Sequence, residues 1–525
     1  MAQADLFKVS LPSFAALALT FLAACGGGGG TPAPVTPEVP VVTVPGAYAD
    51  SVQYSNAPGA ALASANEGAA VIASQITLAG KAFNYTATSG HLSATDVRTG
   101  RPSASFFYVA YTAGTPDSKR PLTFFYNGGP GSASLWLHLG SFGPKRIVTN
   151  IPSSTMPATT QLVDNQETLL AHSDLVFVDA IGTGYSQAIA PNANQDFWGV
   201  DRDAAAFRDF VQRYVSVNQR QASPKFLYGE SYGAPRTAVL ANLLETAGVQ
   251  IDGLMLQSAI LNYNSNCGVF DPGTVSCEGY VPTYAATGAY HQRAAPAPAP
   301  ADFGSYVQQA RAFGAGAYRS GIAAYLASKV APPAAVTAQL LAYTGIAQAS
   351  WTQNPDMGPD QFQRALLPGQ LIGRYDARVS APNGSALTVD NDPSLTLINA
   401  AFVNTIGSYV RDQLHYSARS NYTSYNDIIN RWNFGHDGRA LPDTIPDLSA
   451  ALTQNPFMKI LVLSGYHDLA TPFYQTELDL ARLGSAGSLQ FRTYASGHMS
   501  YLDDAARRAQ QADLITFYQS ASAAH

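Results

Sequence analysis

Charge is scarce in this chain. Only 13% of its 525 residues are Asp, Glu, Lys or Arg, and the net charge is −6, where a globular protein usually has about 25% charged residues. Nothing suggests the basic footprint of nucleic-acid binding, and no long run of one sign occurs. Cysteine is equally sparse, at three residues: Cys25, Cys267 and Cys277. Cys267 and Cys277 form a local pair that can close a small loop in an oxidising compartment or remain as two free thiols. With no second pair and no histidine at zinc-finger distance, they do not suggest a metal site. No glycine-rich segment ends in Gly-Lys-Ser/Thr, which argues against a P-loop, and no internal repeat is evident. Beyond the N-terminus, no apolar run is long enough to cross a bilayer. Aromatic residues, at 11%, supply material for a large core and an aromatic-lined pocket.

The N-terminus reads as a processing segment. Lys8 precedes an apolar stretch from Phe14 to Ala24, and Leu22-Ala23-Ala24-Cys25 has the small-residue pattern of a bacterial lipoprotein signal with lipidation at Cys25. An ordinary secretory signal or an uncleaved anchor is the alternative. Gly26 to Gly30 and a Pro/Thr/Val-rich segment to about Pro45 resemble a tether. The expected division is therefore a signal over 1–24 and a tether over 25–46. The protein is expected in the periplasm or at the cell surface, touching the membrane only through its lipid.

Further on, aromatic-rich runs at Lys81–Ser89 and Ser105–Tyr111 read as antiparallel strands. Leu122–Tyr126, Leu175–Asp179, Lys225–Tyr228, Ile251–Leu256, Lys459–Leu463 and Leu489–Tyr494 are short and mainly apolar, and several end in glycine loops. Such strands alternating with helices predict an α/β fold with a mainly parallel central sheet flanked by helices. Functional loops then belong at the carboxyl ends of the strands. The rhythm stops between about Asn264 and Leu441, where helical patterns over 303–313, 333–343 and 395–415 suggest a cap. Core segments over 47–263 and 442–525 thus flank a mostly helical insertion over 264–441.

One pentapeptide stands out. Gly229-Glu230-Ser231-Tyr232-Gly233 lies between an apolar run and a helical pattern from Pro235 to Leu244. Gly-x-Ser-x-Gly at a strand-to-helix turn lifts a serine hydroxyl to the edge of the sheet. A serine needs a base, and the base needs an orienting acid. Asp468 follows the strand at 459–463, and His498 follows the strand at 489–494, which gives the order Ser, Asp, His of α/β-hydrolases. His467 is the main rival base, but it adjoins the proposed acid. An oxyanion needs two donors. The N–H of Tyr232 is one, and the loop containing Gly128-Gly129-Pro130-Gly131 should supply the second.

Five ordered segments resemble the serine carboxypeptidase family. They are Asn127–Ser132, Phe177–Ser186, Gly229–Gly233, Gly465–Pro472 and Gly497–Met499, and together they span most of the chain from about residue 80. The resemblance implies an α/β-hydrolase fold with a cap, and hydrolysis of a peptide's C-terminal residue without a cofactor. It assigns Ser231, Asp468 and His498 to a catalytic triad, and Gly129 with Tyr232 to the oxyanion hole. It further implies that Asn127, Gly128 and Glu230 bind the substrate, with Asn127 and Glu230 at its terminal carboxylate. To do so Glu230 must be protonated, since two carboxylates repel. The chain departs from the family at Ser141-Phe142-Gly143-Pro144, where a second glutamate usually precedes Leu-Gly-Pro.

The expected substrate is a peptide with a free C-terminus. The missing glutamate favours an alternative, an esterase or acyltransferase on the same scaffold. A catalytically silent surface-binding protein is the reading from a different class, and it does not need an intact triad.

Overall fold

The computed structural model describes residues 43–522, apart from 97–98, 115–116, 118, 156–158 and 485–487. The signal over 1–24, Cys25 and most of the tether lie outside the described residues. No helix among the described residues is long and apolar enough to cross a membrane. Within the segment expected as tether, Thr43–Pro45 (β1) pairs in parallel with the next strand.

The central sheet has eleven strands. After β1 come Ala69–Leu78 (β2), Lys81–Asp96 (β3), Arg101–Ala113 (β4), Leu122–Tyr126 (β5), Asp174–Val178 (β6) and the short Gln187–Ala188 (β7). Lys225–Glu230 (β8), Gly253–Gln257 (β9), Lys459–Gly465 (β10) and Ser488–Tyr494 (β11) complete it. Their order is β1-β2-β3-β4-β6-β5-β8-β9-β10-β11, with β7 pairing to β4. From β6 to β11 every pairing is parallel, while β2, β3, β4 and β6 pair antiparallel.

Why the middle strands read as solid apolar runs is visible in their burial. Every residue of β5, β6, β8 and β9 is buried. Along β5, Leu122, Phe124 and Tyr126 face one core and Phe125 faces the other, the period-2 alternation of a strand covered on both sides. One core is closed by Val200–Val217 (α2), Gly233–Thr246 (α3) and Ile445–Gln454 (α5); the other by Leu135–Gly140 (α1), Pro393–Asp412 (α4) and Asp504–Ser522 (α6). Burying one such phenylalanine contributes about 1.5–3 kcal/mol. β11 is different. It forms an edge, and of its residues only Tyr494 is buried.

Two hundred and one residues separate the end of β9 from the start of β10, from 258 to 458. Helices between Val281 and Ala365 build small cores of their own, one of which includes Cys267 and Cys277, joined as a disulfide. The chain then returns to the sheet. Asp392 caps α4 by accepting from the N–H groups of Ser394 and Leu395, with Pro393 at the first helical position. Phe402, Ile406, Tyr409 and Val410 of α4 enter the sheet's core. Farther on, Tyr416–Ala418 pairs with Tyr48–Asp50 near the start of the described chain.

Candidate active site

The elbow is a strand end forced into a sharp reversal. β8 finishes at Glu230, Ser231 takes φ = +61°, and α3 begins at Gly233. A left-handed serine is strained and persists only where its surroundings enforce it. Here the N–H of Ser231 donates to the carbonyl of Gln257 on the neighbouring strand (2.9 Å). Gly229 is required by close approach, since a Cβ there would lie 2.3 Å from both the Gly233 carbonyl oxygen and Thr237 Oγ1.

Asp468 and His498 follow adjacent parallel strands, and their side chains meet. His498 Nδ1 is 2.8 Å from Asp468 Oδ2, and both are essentially fully buried. Asp468 Oδ1 accepts from the N–H groups of Ala470 (2.8 Å) and Thr471 (3.0 Å). The Thr471 hydroxyl sits 2.8 Å from Asp468 Oδ2 and 3.1 Å from His498 Nδ1. The backbone of His498 is clamped as well: its N–H donates to Tyr375, and its carbonyl accepts from Gln257 Nε2 and Ser258 Oγ. Burial opposes a charged imidazolium, but the adjacent Asp468 carboxylate outweighs it and holds the His498 pKa above its ordinary value. The ring is thereby fixed in the tautomer that carries its proton on Nδ1 and leaves Nε2 to act as base.

Ser231 and His498 line one cleft of about 360 Å³, together with Asn127, Gly128, Gly129 and Glu230. No hydrogen bond joins Ser231 Oγ to His498 among the described residues. Such contacts are often long without substrate and tighten in the complex. His467 is brought elsewhere: it is buried beside Thr287 and the Tyr290 ring, and burial, then Arg378 and His291, push its pKa well below normal.

Opposite the elbow is the glycine loop that follows β5. A Cβ on Gly128 would lie 2.5 Å from the Tyr232 nitrogen, so only glycine lets this loop reach the first turn of α3. Neither Gly129 nor Tyr232 donates its N–H to another backbone or side-chain group among the described residues. Both donors are free for an oxyanion.

Asn127 and Glu230 form a buried pair, Nδ2 to Oε1, at 2.8 Å. Burial pushes the Glu230 carboxyl up to about 7, with protonated His498 pulling the other way. Ser141 does not stand in for a carboxylate. It is buried at the end of α1, where its hydroxyl donates to the Leu137 carbonyl (2.5 Å), and it is not among the cleft residues.

Several supporting residues escaped the sequence reading. Arg236 on α3 donates to the Asn127 carbonyl (2.7 Å) and to buried Asp203 (2.6 Å), tying the elbow helix to the glycine loop and to α2. Tyr375, from the insertion, lies against the His498 ring with centroids 4.6 Å apart. Tyr422, Thr423, Ser424 and Tyr425 form one side of the cleft, pinned by backbone bonds from Ala133 to Ser424 and between Gly184 and Thr423. Only Thr471 had a signal, since it falls within the Gly465–Pro472 segment.

A parallel sheet with a strained serine at the end of β8, and a buried acid–histidine pair in the loops after β10 and β11, has the architecture of an α/β-hydrolase and the side chains of a serine hydrolase. Comparison with known proteins narrows this: residues 79–266 match the sequence profile of the serine carboxypeptidase family. The chain is 30% identical over 148 residues to a pheromone-processing carboxypeptidase of Cryptococcus gattii, covering 28% of this chain and 21% of that protein. It is 28% identical over 145 residues to serine carboxypeptidase-like 33 of Arabidopsis thaliana, covering 26% and 28%. The chain thus spans about a fifth to just over a quarter of the length of these curated relatives. Among solved structures it resembles a proline iminopeptidase of Mycobacterium smegmatis, with 13% identity, 83% and 99% coverage and a TM-score of 0.36. The fold assignment rests on the strand order and the site, not on that likeness.

Proposed function

We propose that the protein is an exported serine carboxypeptidase that releases C-terminal residues from peptides through an acyl-enzyme. The observation that carries this reading is the convergence of Ser231, His498 and the buried Asn127–Glu230 pair on one cleft. Ser231 Oγ attacks the scissile carbonyl while His498 Nε2 takes its proton, and Asp468 stabilises the imidazolium. The N–H groups of Gly129 and Tyr232 receive the oxyanion. His498 returns the proton to the leaving amine, and water then hydrolyses the acyl-serine by the same route.

Glu230 gives the exopeptidase character. Neutral Glu230 can donate to the terminal carboxylate, whereas ionised Glu230 repels it. The test compares peptides with free and amidated C-termini, with an ester as control. Release of a C-terminal amino acid that stops on amidation is expected. Ester cleavage without peptide trimming would replace this reading with an esterase or acyltransferase, the alternative that Ser141 favours.

Export and anchoring through Cys25 belong to the same proposal, and the Cys267–Cys277 disulfide supports an oxidising compartment. The full chain is expected to partition into detergent, and Cys25→Ser to stay in the aqueous phase. Equal partitioning of the two would refute the lipid anchor.

A further inference from the structure

Glu230 has one oxygen to spare. Its Oε1 accepts from Asn127, while Oε2 is buried without a hydrogen-bond partner. The hydroxyl of Tyr501 is also fully buried and makes no well-formed hydrogen bond, but it lies within loose hydrogen-bonding range of both Glu230 and Asn127. Unpaired buried polar atoms are costly, and a neighbouring pair of them points to a group that is completed at some step of function.

The orientation of Asn127 says which oxygen carries the proton. Asn127 Oδ1 accepts from the N–H of Leu137 (3.0 Å), so the amide must present Nδ2 to Glu230 Oε1. Oε1 is therefore an acceptor, and the proton of neutral Glu230 sits on Oε2. That O–H is the group able to donate to a carboxylate in the cleft. When the proton leaves, Oε2 is an anion facing a hydroxyl that has a hydrogen to give. Tyr501 stays neutral throughout, because burial holds its pKa well above normal.

Other groups face Glu230 as well. His498 and Asp468 act from the loops after β11 and β10, Tyr375 from the insertion, and Tyr228 from its own strand. The Tyr228 hydroxyl is already given to Gln257 Oε1 (3.2 Å). His498 carries its Nδ1 proton to Asp468. Tyr501 is left as the uncommitted donor.

We propose that Tyr501 is a positioning residue that acts through Glu230, donating to Oε2 of the ionised form and so setting the pH above which the cleft stops accepting a substrate carboxylate. This rests on the carboxypeptidase reading for its consequence, but not for its test. A hydrogen bond to the charged form lowers the carboxyl pKa, so its removal must raise it.

The experiment is a ¹³C-carboxyl NMR titration of the full chain, with the Glu230 signal assigned by its loss in Glu230→Gln. In Tyr501→Phe the Glu230 titration is expected to move up by about one pH unit, the worth of one hydrogen bond to a charged group. The alkaline limb of kcat/KM for free-acid peptides should follow, while that for an ester stays put. 3-Fluorotyrosine at 501, a stronger donor of nearly the same shape, should move the titration down and serves if the phenylalanine variant does not fold. An unmoved titration in a protein that prefers free-acid peptides overturns this inference alone. A shifted titration in a protein that does not prefer them overturns the carboxypeptidase reading and leaves Tyr501 in control of Glu230.

Discussion

The cleft has two walls of different construction. One is made by loops at the ends of parallel strands and carries Gly128, Gly129, Glu230, Ser231 and His498; the other comes from the insertion and carries Tyr375, Leu395, Asn399, Val403 and Tyr422–Tyr425. On the first wall the His498 ring, the Asn127 amide and the backbones around them are held by hydrogen bonds within the protein, with Glu230 Oε2 as the exception. On the second, the Tyr422 hydroxyl donates to Asp179 Oδ2 (2.7 Å), but Ser424 Oγ and the Tyr425 hydroxyl are buried without partners. A wall whose groups are held can place charge where a transition state needs it. A wall with free hydroxyls is suited to reading a substrate, because a buried donor rejects any ligand that leaves it unpaired.

If the division is real, damage to the first wall should remove turnover, and damage to the second should change which substrates are used. The largest loss is expected for His498→Ala, about a million-fold in kcat, followed by Asp468→Asn at about ten-thousand-fold, with the fold retained by circular dichroism. A loss below a hundred-fold in either would break the comparison at its strong end.

Glu230→Gln tests the hinge between the walls. In the native protein, kcat/KM for free-acid peptides should fall as pH rises through about 7, where Glu230 ionises. On the acid side it should fall as His498 becomes protonated, giving a bell. Glutamine cannot ionise, so the variant should hold its activity on free-acid peptides beyond pH 8 and lose the alkaline limb. Retention of that limb would assign it to another group.

A smaller effect is expected on the second wall. Tyr425→Phe should change KM by about two- to ten-fold for some peptides and leave others untouched, with kcat nearly constant. A uniform loss of kcat would move Tyr425 to the catalytic wall.

The smallest effect concerns how the insertion is held. His436 lies between Asp201 on α2 (2.6 Å) and Asp447 on α5 (2.8 Å). The hydrogen bond to Asp447 is the main force raising its pKa to about 9, against some loss from burial. Because the folded value exceeds the unfolded value of about 6.5, this stabilisation is complete below pH 6.5 and is lost as pH rises through 9. His436→Asn should therefore lower Tm at pH 6 and leave it nearly unchanged at pH 10. Asp201 is exposed, so solvent screening keeps the effect modest.

The two walls also differ in how far the sequence reveals them. The elbow is legible because its chemistry needs a strand, a serine between glycines and a helix, all contiguous. His498 is legible by position, because a parallel sheet delivers functional loops at strand ends. The antiparallel strands are less so: β3 runs to Asp96 and β4 from Arg101, well beyond the aromatic runs that signal them. Their ends lack the alternation that marks a strand. Tyr375, Tyr422–Tyr425 and Arg236 are not legible at all. Each acts across a long sequence separation, through contacts that leave no local pattern. Tyr501 is hidden for the same reason, although it lies three residues from His498. The lesson from Ser141 is similar. A missing carboxyl shows in the sequence, but whether a hydroxyl from elsewhere reaches the same neighbour does not.

The central claim is that Ser231 is the nucleophile, and turnover by Ser231→Ala on a peptide with a free C-terminus tests it most directly. A folded variant whose kcat has fallen about a million-fold, with amino-acid release lost, is the predicted result. A folded variant that still releases the C-terminal residue at a near-native rate would contradict the account.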